Sequence, residues 1–444
     1  SALPPGSALV AFARYQHKGR DGEVAPSYIA FVLRGGQQDP VAVPLGSARE
    51  IESLISRWSR EASRSQGSET DYRVSGQALR GKVWDPLVSR MGDARRVFIV
   101  PDGALNLVNF GGLPAEGDSY LMERGPLVHY LSSERDLVTS ASHGRGGGIL
   151  AMGGPDYDET SPLASLAPRK VAGSGKTTPV TIAEARPYRG QRSACGDFRS
   201  VRFSLLPAAT REAKEVAALW RTESRAAPAV SPEVRGAVCL TGAKATEAAF
   251  KEQASGHRIL HLATHGFFLG GKCESALDST RGVGGLQPSG EALPPPSTGE
   301  NPLLLSGLAL AGANHREAAG PDEEDGILTA EEIAAMDLSG TEWAVLSACD
   351  TGIGEIKAGE GVFGLRRAFQ VAGARTVIMS LWSVEDESAR QWMKALYEGR
   401  LLKQLDTAEA VRNASLTVLK ARRARGESTH PFYWAGFVAA GDWR

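Results

Sequence analysis

Two apolar runs each end on a residue type that can do covalent chemistry. Residues 258–268 read Arg-Ile-Leu-His-Leu-Ala-Thr-His-Gly-Phe-Phe, a strand-like run that stops at Thr264 and is followed by His265 and Gly266. Residues 343–352 read Trp-Ala-Val-Leu-Ser-Ala-Cys-Asp-Thr-Gly and place Cys349 just beyond a second such run. A thiol with an ordinary pKa of about 8.5 is mostly protonated at neutral pH, and the thiolate is the nucleophile. An adjacent imidazole takes that proton or pairs with the thiolate, and later protonates a leaving amine. Gly266 has no Cβ, so its N–H can approach a developing oxyanion. The Cys349 N–H would be the second donor, each worth roughly 3 kcal/mol. Taken singly, a buried cysteine or a strand-end histidine is more often structural. Cys195, Cys239, Cys273 and His261 are read that way.

For His265 and Cys349 to meet, their strands must end side by side. The runs 259–263 and 343–346 are nearly continuous, as in central parallel strands buried on both faces. Sites in open parallel sheets lie outside the carboxyl ends of such strands. Strand signals also occur at 8–13, 28–33, 96–100 and 148–152, with helices at 48–64 and 72–91. Further on come helices at 211–221 and 245–252, a strand near 303–310, a helix opened by Thr329 and a helix at 362–371. A strand at 376–379, helices at 387–398 and 407–423 and a last strand at 432–438 complete the series. This alternation predicts an α/β fold with a mostly parallel sheet flanked by helices.

The pattern occurs twice, so two α/β units are expected, residues 1–153 and 208–444. Residues 154–207 and, inside the second unit, 270–302 lack either periodicity and read as insertions. Their arginines Arg186, Arg189, Arg192 and Arg281 are candidate sites of proteolytic nicking.

A net charge of −1 argues against a dedicated nucleic-acid binder. No apolar run approaches the roughly 18 residues of a membrane span, and no segment reads as a signal peptide. The four cysteines form no C-x-x-C pair, which indicates neither a zinc site nor a disulfide framework. A reducing, cytoplasmic setting fits, with no metal and no cofactor required. The start at Ser-Ala-Leu-Pro-Pro, without methionine, suggests a preceding region.

His-Leu-Ala-Thr-His-Gly at 261–266 and Leu-Ser-Ala-Cys-Asp-Thr-Gly at 346–352 resemble the two catalytic motifs of CHAT-domain proteins. These are relatives of caspases and separase among the clan CD cysteine peptidases. Val-Pro-Asp-Gly-Ala-Leu at 100–105, Ser-Leu-Trp-Ser-Val-Glu-Asp at 380–386 and His-Pro-Phe-Tyr-Trp-Ala-Gly-Phe-Val at 430–438 extend the likeness, which runs from about residue 8 to 443. The resemblance implies a caspase-like sheet for the second unit and a degenerate pseudo-protease (pseudo-caspase) unit before it. It also implies His265 and Cys349 as a dyad, with Gly266 as oxyanion donor. The expected activity is intracellular endopeptidase cleavage of a protein or peptide substrate through a thioester, with self-processing in the long insertions. An upstream regulatory or sensor domain, or an activating partner, is implied too. One departure is the spacing of 84 positions between His265 and Cys349, against roughly 50 in caspases. The insertion at 270–302 accounts for it.

In the resemblance to separase, the acid of the Leu-Trp-x-Val-x-Asp segment receives a basic P1 side chain, and Asp386 holds that position here. A carboxylate paired to a guanidinium by two hydrogen bonds is selective. Asp350 and Glu385 are further candidates for this task, and Trp382 for a pocket wall. Each has a structural alternative: Ser383-x-x-Asp386 fits a variant capping box, and Trp382 fits a core.

Three other signals carry less. Gly359-Glu-Gly-Val-Phe-Gly364 matches G-x-G-x-x-G, but ten residues separate it from the strand that should precede it, and Glu360 would repel phosphate. These glycines are expected to turn the loop after Cys349 back into a helix. Residues 173–178 imitate a phosphate loop, yet Lys170 stands where its first glycine belongs and Pro179 blocks the helix. Glu355, Glu360 and the acids at 322–325 lack the spacing of a calcium loop. Besides the endopeptidase, the sequence leaves a non-catalytic signalling scaffold and a nucleotide-dependent oxidoreductase as alternatives.

Overall fold

The computed structural model describes residues 3–19, 22, 24–138, 146–160, 201–226, 236–268, 303–320, 323–347, 349–350 and 358–444. β1 (Ser7–Lys18) pairs antiparallel with β2 (Val24–Arg34), and β2 with β3 (Val41–Ser47). Val10, Phe12, Tyr28, Ala30 and Val32 share a core with α1 (Ala48–Ala62), α2 (Glu69–Val83) and α3 (Asp85–Met91). Ser47 and Ser68 cap α1 and α2 by accepting the N–H of Glu50 and Asp71. The single helix expected over 72–91 is broken at Trp84. Pro86 has no N–H for a continuing helix, and it falls in the first turn of α3 instead.

β4 (Arg96–Val100) lies parallel to β1. Just beyond it, Asp102 accepts the Gly103 N–H at 2.8 Å and the Arg14 N–H at 2.7 Å, starting a 3-10 turn over Gly103–Leu107. Gly103 has φ 53°, and a Cβ there would lie 2.4 Å from the Tyr28 hydroxyl, so the Val-Pro-Asp-Gly-Ala-Leu motif builds a tight strand exit. α4 (Leu121–Arg124), β5 (Leu127–Tyr130) and β6 (Ile149–Pro155) follow.

After residue 200 come α5 (Pro207–Ala226), β7 (Ala237–Gly242), α6 (Glu247–Gln253), β8 (Ile259–Ala263), β9 (His265–Phe268) and β10 (Ser306–Ala309). Next are β11 (Ile327–Thr329), α7 (Ala330–Ala334), β12 (Trp343–Leu346), β13 (Cys349–Asp350) and α8 (Ala358–Val371). The chain closes with β14 (Thr376–Ser380), α9 (Asp386–Tyr397), α10 (Thr407–Ala424) and β15 (Phe437–Gly441).

Eleven strands form one sheet in the order β3-β2-β1-β4-β5-β15-β14-β12-β8-β6-β7, parallel except for β1–β2, β2–β3 and β14–β15. The fold is therefore mixed α/β, with a large, mostly parallel sheet flanked by helices. A boundary at 153 would assign β6 to the first unit, but β6 pairs with β7 and β8. Along the sheet the changeover falls between β5 and β15, which meet at Tyr130 and Ala440. The two sides share one core: Trp58 packs edge-on to Trp382 at 5.9 Å and Tyr120 to Trp434 at 4.7 Å. Asn109 Nδ2 donates to the Ala435 carbonyl at 2.7 Å. The strand expected at 432–438 starts late. His430 caps a 3-10 turn over Pro431–Tyr433, and β15 begins only at Phe437.

A second sheet, β11-β10-β9-β13, stands at the end of the first. Behind it the Lys251 ammonium is buried against Glu247, Glu324 and Glu332 at 2.7, 3.0 and 2.8 Å. Burial and the neighbouring Glu332 push Glu247 well above the usual carboxylate range. These three carboxylates converge closely enough to hold a metal ion, and the cation they share is Lys251. Among the described residues, no helix is long and apolar enough to cross a membrane.

Candidate active site

β8 and β12 are parallel neighbours, with Leu262 opposite Leu346, and their residues are fully buried. Both strands leave the large sheet at the same height. β8 ends at Ala263; Thr264 then donates its hydroxyl to the Ala309 carbonyl and accepts the Tyr157 hydroxyl at 2.9 Å. The chain continues as β9. β12 ends at Leu346 and continues as β13, which pairs in parallel with β9. In that register Cys349 is the partner of His265, and Asp350 the partner of Gly266. The large sheet thus sets two exits side by side, and the small sheet carries the backbone pairing across to the histidine and the cysteine.

The His265 ring is 1% exposed and lies between Tyr157 and Phe203, with ring centroids 5.2 and 5.7 Å away. Its Nε2 donates to the Ser204 carbonyl at 2.7 Å. A carbonyl can only accept, so Nε2 carries the ring proton of the neutral form and Nδ1 keeps a free lone pair. Nδ1 is buried and has no hydrogen-bond partner among the described residues. Burial lowers the His265 pKa from its ordinary value; the Ser204 bond and the Asp386 charge oppose that shift. The result is an imidazole neutral near pH 7, with one nitrogen anchored and the other open. Tyr157 is pushed up to about 12 by burial and stays a neutral phenol.

Gly266 lies within β9, paired with Leu308 on one side and Asp350 on the other. Asp386 is the first residue of α9, and its carboxylate accepts the Ala208 N–H at 2.8 Å, in the first turn of α5. It caps a neighbouring helix. The box with Ser383 does not form: Glu385 stands at the cap of α9 without a side-chain cap bond and accepts the Ser388 hydroxyl at 2.7 Å. Trp382 is 7% exposed, packed on Trp58, with Nε1 donating to the Phe432 carbonyl at 3.4 Å. The structure thus brings His265, Cys349, Gly266 and Asp350 together by backbone pairing. Asp386 acts on His265 alone among them, through its charge, and Trp382 belongs to the core.

His261 is buried, with Nδ1 3.1 Å from the Tyr397 hydroxyl and Nε2 3.0 Å from Glu212. Cys239 is a free, half-buried thiol in β7 that burial pushes up. Cys195, Cys273, the four insertion arginines and residues 173–178 lie outside the described residues. Gly359–Gly364 do not form a turn after a strand, because α8 already begins at Ala358. Gly364 marks close packing instead: a Cβ there would meet Ser306 Oγ at 2.5 Å. Ser204, Phe203 and Tyr157 were not legible as site residues. They lie inside the 154–207 insertion, near its two ends, and the aromatics Tyr157 and Phe203 in an otherwise polar, Gly- and Pro-rich stretch are the signal that could have found them.

The sequence model described as "CHAT domain" matches residues 73–442. The human protein named Tetratricopeptide repeat protein 28 is 25% identical over 353 residues, 79% of this chain and 12% of its own length. Its mouse counterpart is 32% identical over 116 residues, 26% of this chain and 4% of its own. The chain therefore spans a small fraction of the curated relatives it matches. Among solved structures, the Arg-specific cysteine proteinase gingipain R aligns with a TM-score of 0.42 and 9% identity, covering 89% of this chain and 74% of that one. A complex of the pro- and mature domains of Porphyromonas gingivalis RgpB aligns with a TM-score of 0.40 and 10% identity, covering 89% and 76%.

Proposed function

The chain belongs to the CHAT domain family, and from that premise we propose that it is a cysteine endopeptidase working through Cys349 and His265. The observation that carries this reading is the register pairing of the two residues, combined with an imidazole whose Nε2 is anchored and whose Nδ1 is open. In the proposed reaction, Nδ1 accepts the Cys349 thiol proton. The thiolate attacks the scissile carbonyl carbon, and the C–N bond breaks as the imidazolium returns the proton to the leaving amine. Water then attacks the thioester, giving the acid and restoring the thiol. The N–H groups of Cys349 and Gly266 are the proposed donors to the oxyanion, at roughly 3 kcal/mol each. The Ser204 carbonyl holds the imidazolium that forms between the two steps.

Asp386 is the proposed receptor of a basic P1 side chain. Its Oδ2 is committed to Ala208, and a carboxylate has lone pairs for further donors. Asp350 and Glu385 are proposed as secondary acids at that end of the sheet. The substrate is proposed to lie as an extended strand along the small sheet. The name of the human and mouse relatives refers to tetratricopeptide repeats, which supports a protein partner as the source of regulation.

A fluorogenic peptide panel with Arg, Lys, Leu, Met and Asp at P1, run on wild type and Cys349→Ala, tests the reading. Cleavage by the wild type alone is the expected result. Equal rates in both proteins, or no cleavage by either, would leave the scaffold as the better account.

A further inference from the structure

We infer that Asn314 is a positioning residue for His265, acting through the segment 201–206; the inference rests on the dyad reading above. That segment has neither helix nor strand, yet it supplies both the Ser204 carbonyl and the Phe203 ring that hold the imidazole. Something outside it must fix its path.

Asn314 is 8% exposed and lies in the 3-10 turn Ala313–Ala318. Its side-chain amide uses both N–H donors and its oxygen. Oδ1 accepts the Phe203 N–H at 2.8 Å, and Nδ2 donates to the Phe203 carbonyl at 3.0 Å and to Asp158 Oδ1 at 2.8 Å. The side chain therefore pairs with Phe203 as a neighbouring strand would. The Asn314 backbone N–H donates to the Tyr157 carbonyl at 2.9 Å. One residue thus ties down both aromatic walls of His265 and the peptide adjoining Ser204. Arg316 adds a bond to the Val201 carbonyl at 2.9 Å, fixing the start of the same segment.

The chemistry of the amide is specific. An aspartate in place of Asn314 would keep the acceptor for the Phe203 N–H but would set a carboxylate against two acceptors, the Phe203 carbonyl and Asp158. Without Asn314, the Ser204 carbonyl is no longer held 2.7 Å from Nε2. The ring proton can then move to Nδ1, the nitrogen that has to be free to take the thiol proton.

The test uses the full chain as wild type, Asn314→Ala, Asn314→Asp and His265→Ala. Alkylation of Cys349 by iodoacetamide is followed by peptide mass spectrometry across pH 5 to 9, and kcat and KM are measured on the best peptide of the panel. Both Asn314 variants are expected to lower kcat on the order of 100-fold with KM nearly unchanged, and to move the alkylation profile toward that of His265→Ala. Folded Asn314 variants with wild-type kcat and profile would overturn the inference. An alkylation profile that His265→Ala leaves unchanged is a different failure, because it removes the dyad itself. A further arm needs no variant: hydrogen exchange of the wild type should show the Phe203 amide strongly protected. Exchange of that amide at the unprotected-chain rate would overturn the inference even if no Asn314 variant folds.

Discussion

The carboxylate of Asp386 closes the N-terminus of α5 by accepting the Ala208 N–H at 2.8 Å. A capping carboxylate and a P1 receptor make different demands on this side chain, so two substitutions separate them. Asn keeps an oxygen for Ala208 but loses the charge; Ala loses both. Asp386→Asn is expected to melt within about 0.5 kcal/mol of wild type and Asp386→Ala to lose about 1 kcal/mol. Both should lose the preference for Arg over Leu at P1, by roughly 10- to 100-fold. Thermal melts read the first effect and the peptide panel the second. An Arg preference intact in Asp386→Asn would assign the residue to α5 alone.

Acid should loosen the meeting of β5 and β15. His129, 2% exposed, donates Nε2–H to the Gly441 carbonyl at 2.9 Å. Burial pushes its pKa down to about 4, with the Gly441 bond and then Asp406 partly offsetting. The unfolded chain, with a histidine near 6.5, takes up the proton first. The stability this group contributes is therefore complete above about pH 6.5 and lost as pH falls toward 4, by at most about 3 kcal/mol. A glutamine in place of His129 would retain an N–H donor without titrating. Denaturation midpoints measured from pH 7 to 4.5 should fall less steeply for His129→Gln than for wild type, and parallel curves would refute the assignment.

Removing the Lys251 ammonium leaves Glu247, Glu324 and Glu332 converging without it. Breaking a buried ion group from one side typically costs about 3–5 kcal/mol. Lys251→Met should lose stability in that range in urea denaturation at pH 7, and recover part of it near pH 5 as carboxylates protonate. Wild-type stability at pH 7 would show that the three carboxylates separate at little cost.

The features of the site that were legible in the sequence are those written in consecutive residues. The apolar runs before His265 and Cys349 marked buried parallel strands, and Thr329 marked the start of α7, where the structure closes a capping box with Glu332. What escaped was set by distant chain. Nothing local says that β6 leaves the first half to pair with β8, because β6 is as apolar as any buried strand. The Ser204 carbonyl reaches His265 across 61 positions, and a backbone acceptor has no side-chain signature. The break at Trp84 was readable: Pro86 alone forbids the long helix.

The pairing of β13 with β9 has a consequence for the chain between them. His265 and Cys349 are set opposite each other by two successive ladders, β8 with β12 and then β9 with β13. The distance between the two backbones is therefore a property of hydrogen-bond register, and the 84 positions that separate them in sequence measure only a return path. Segments of that path outside the strands can lengthen or shorten without moving either residue. A slip of one residue in either ladder, by contrast, would turn one of the two side chains to the opposite face.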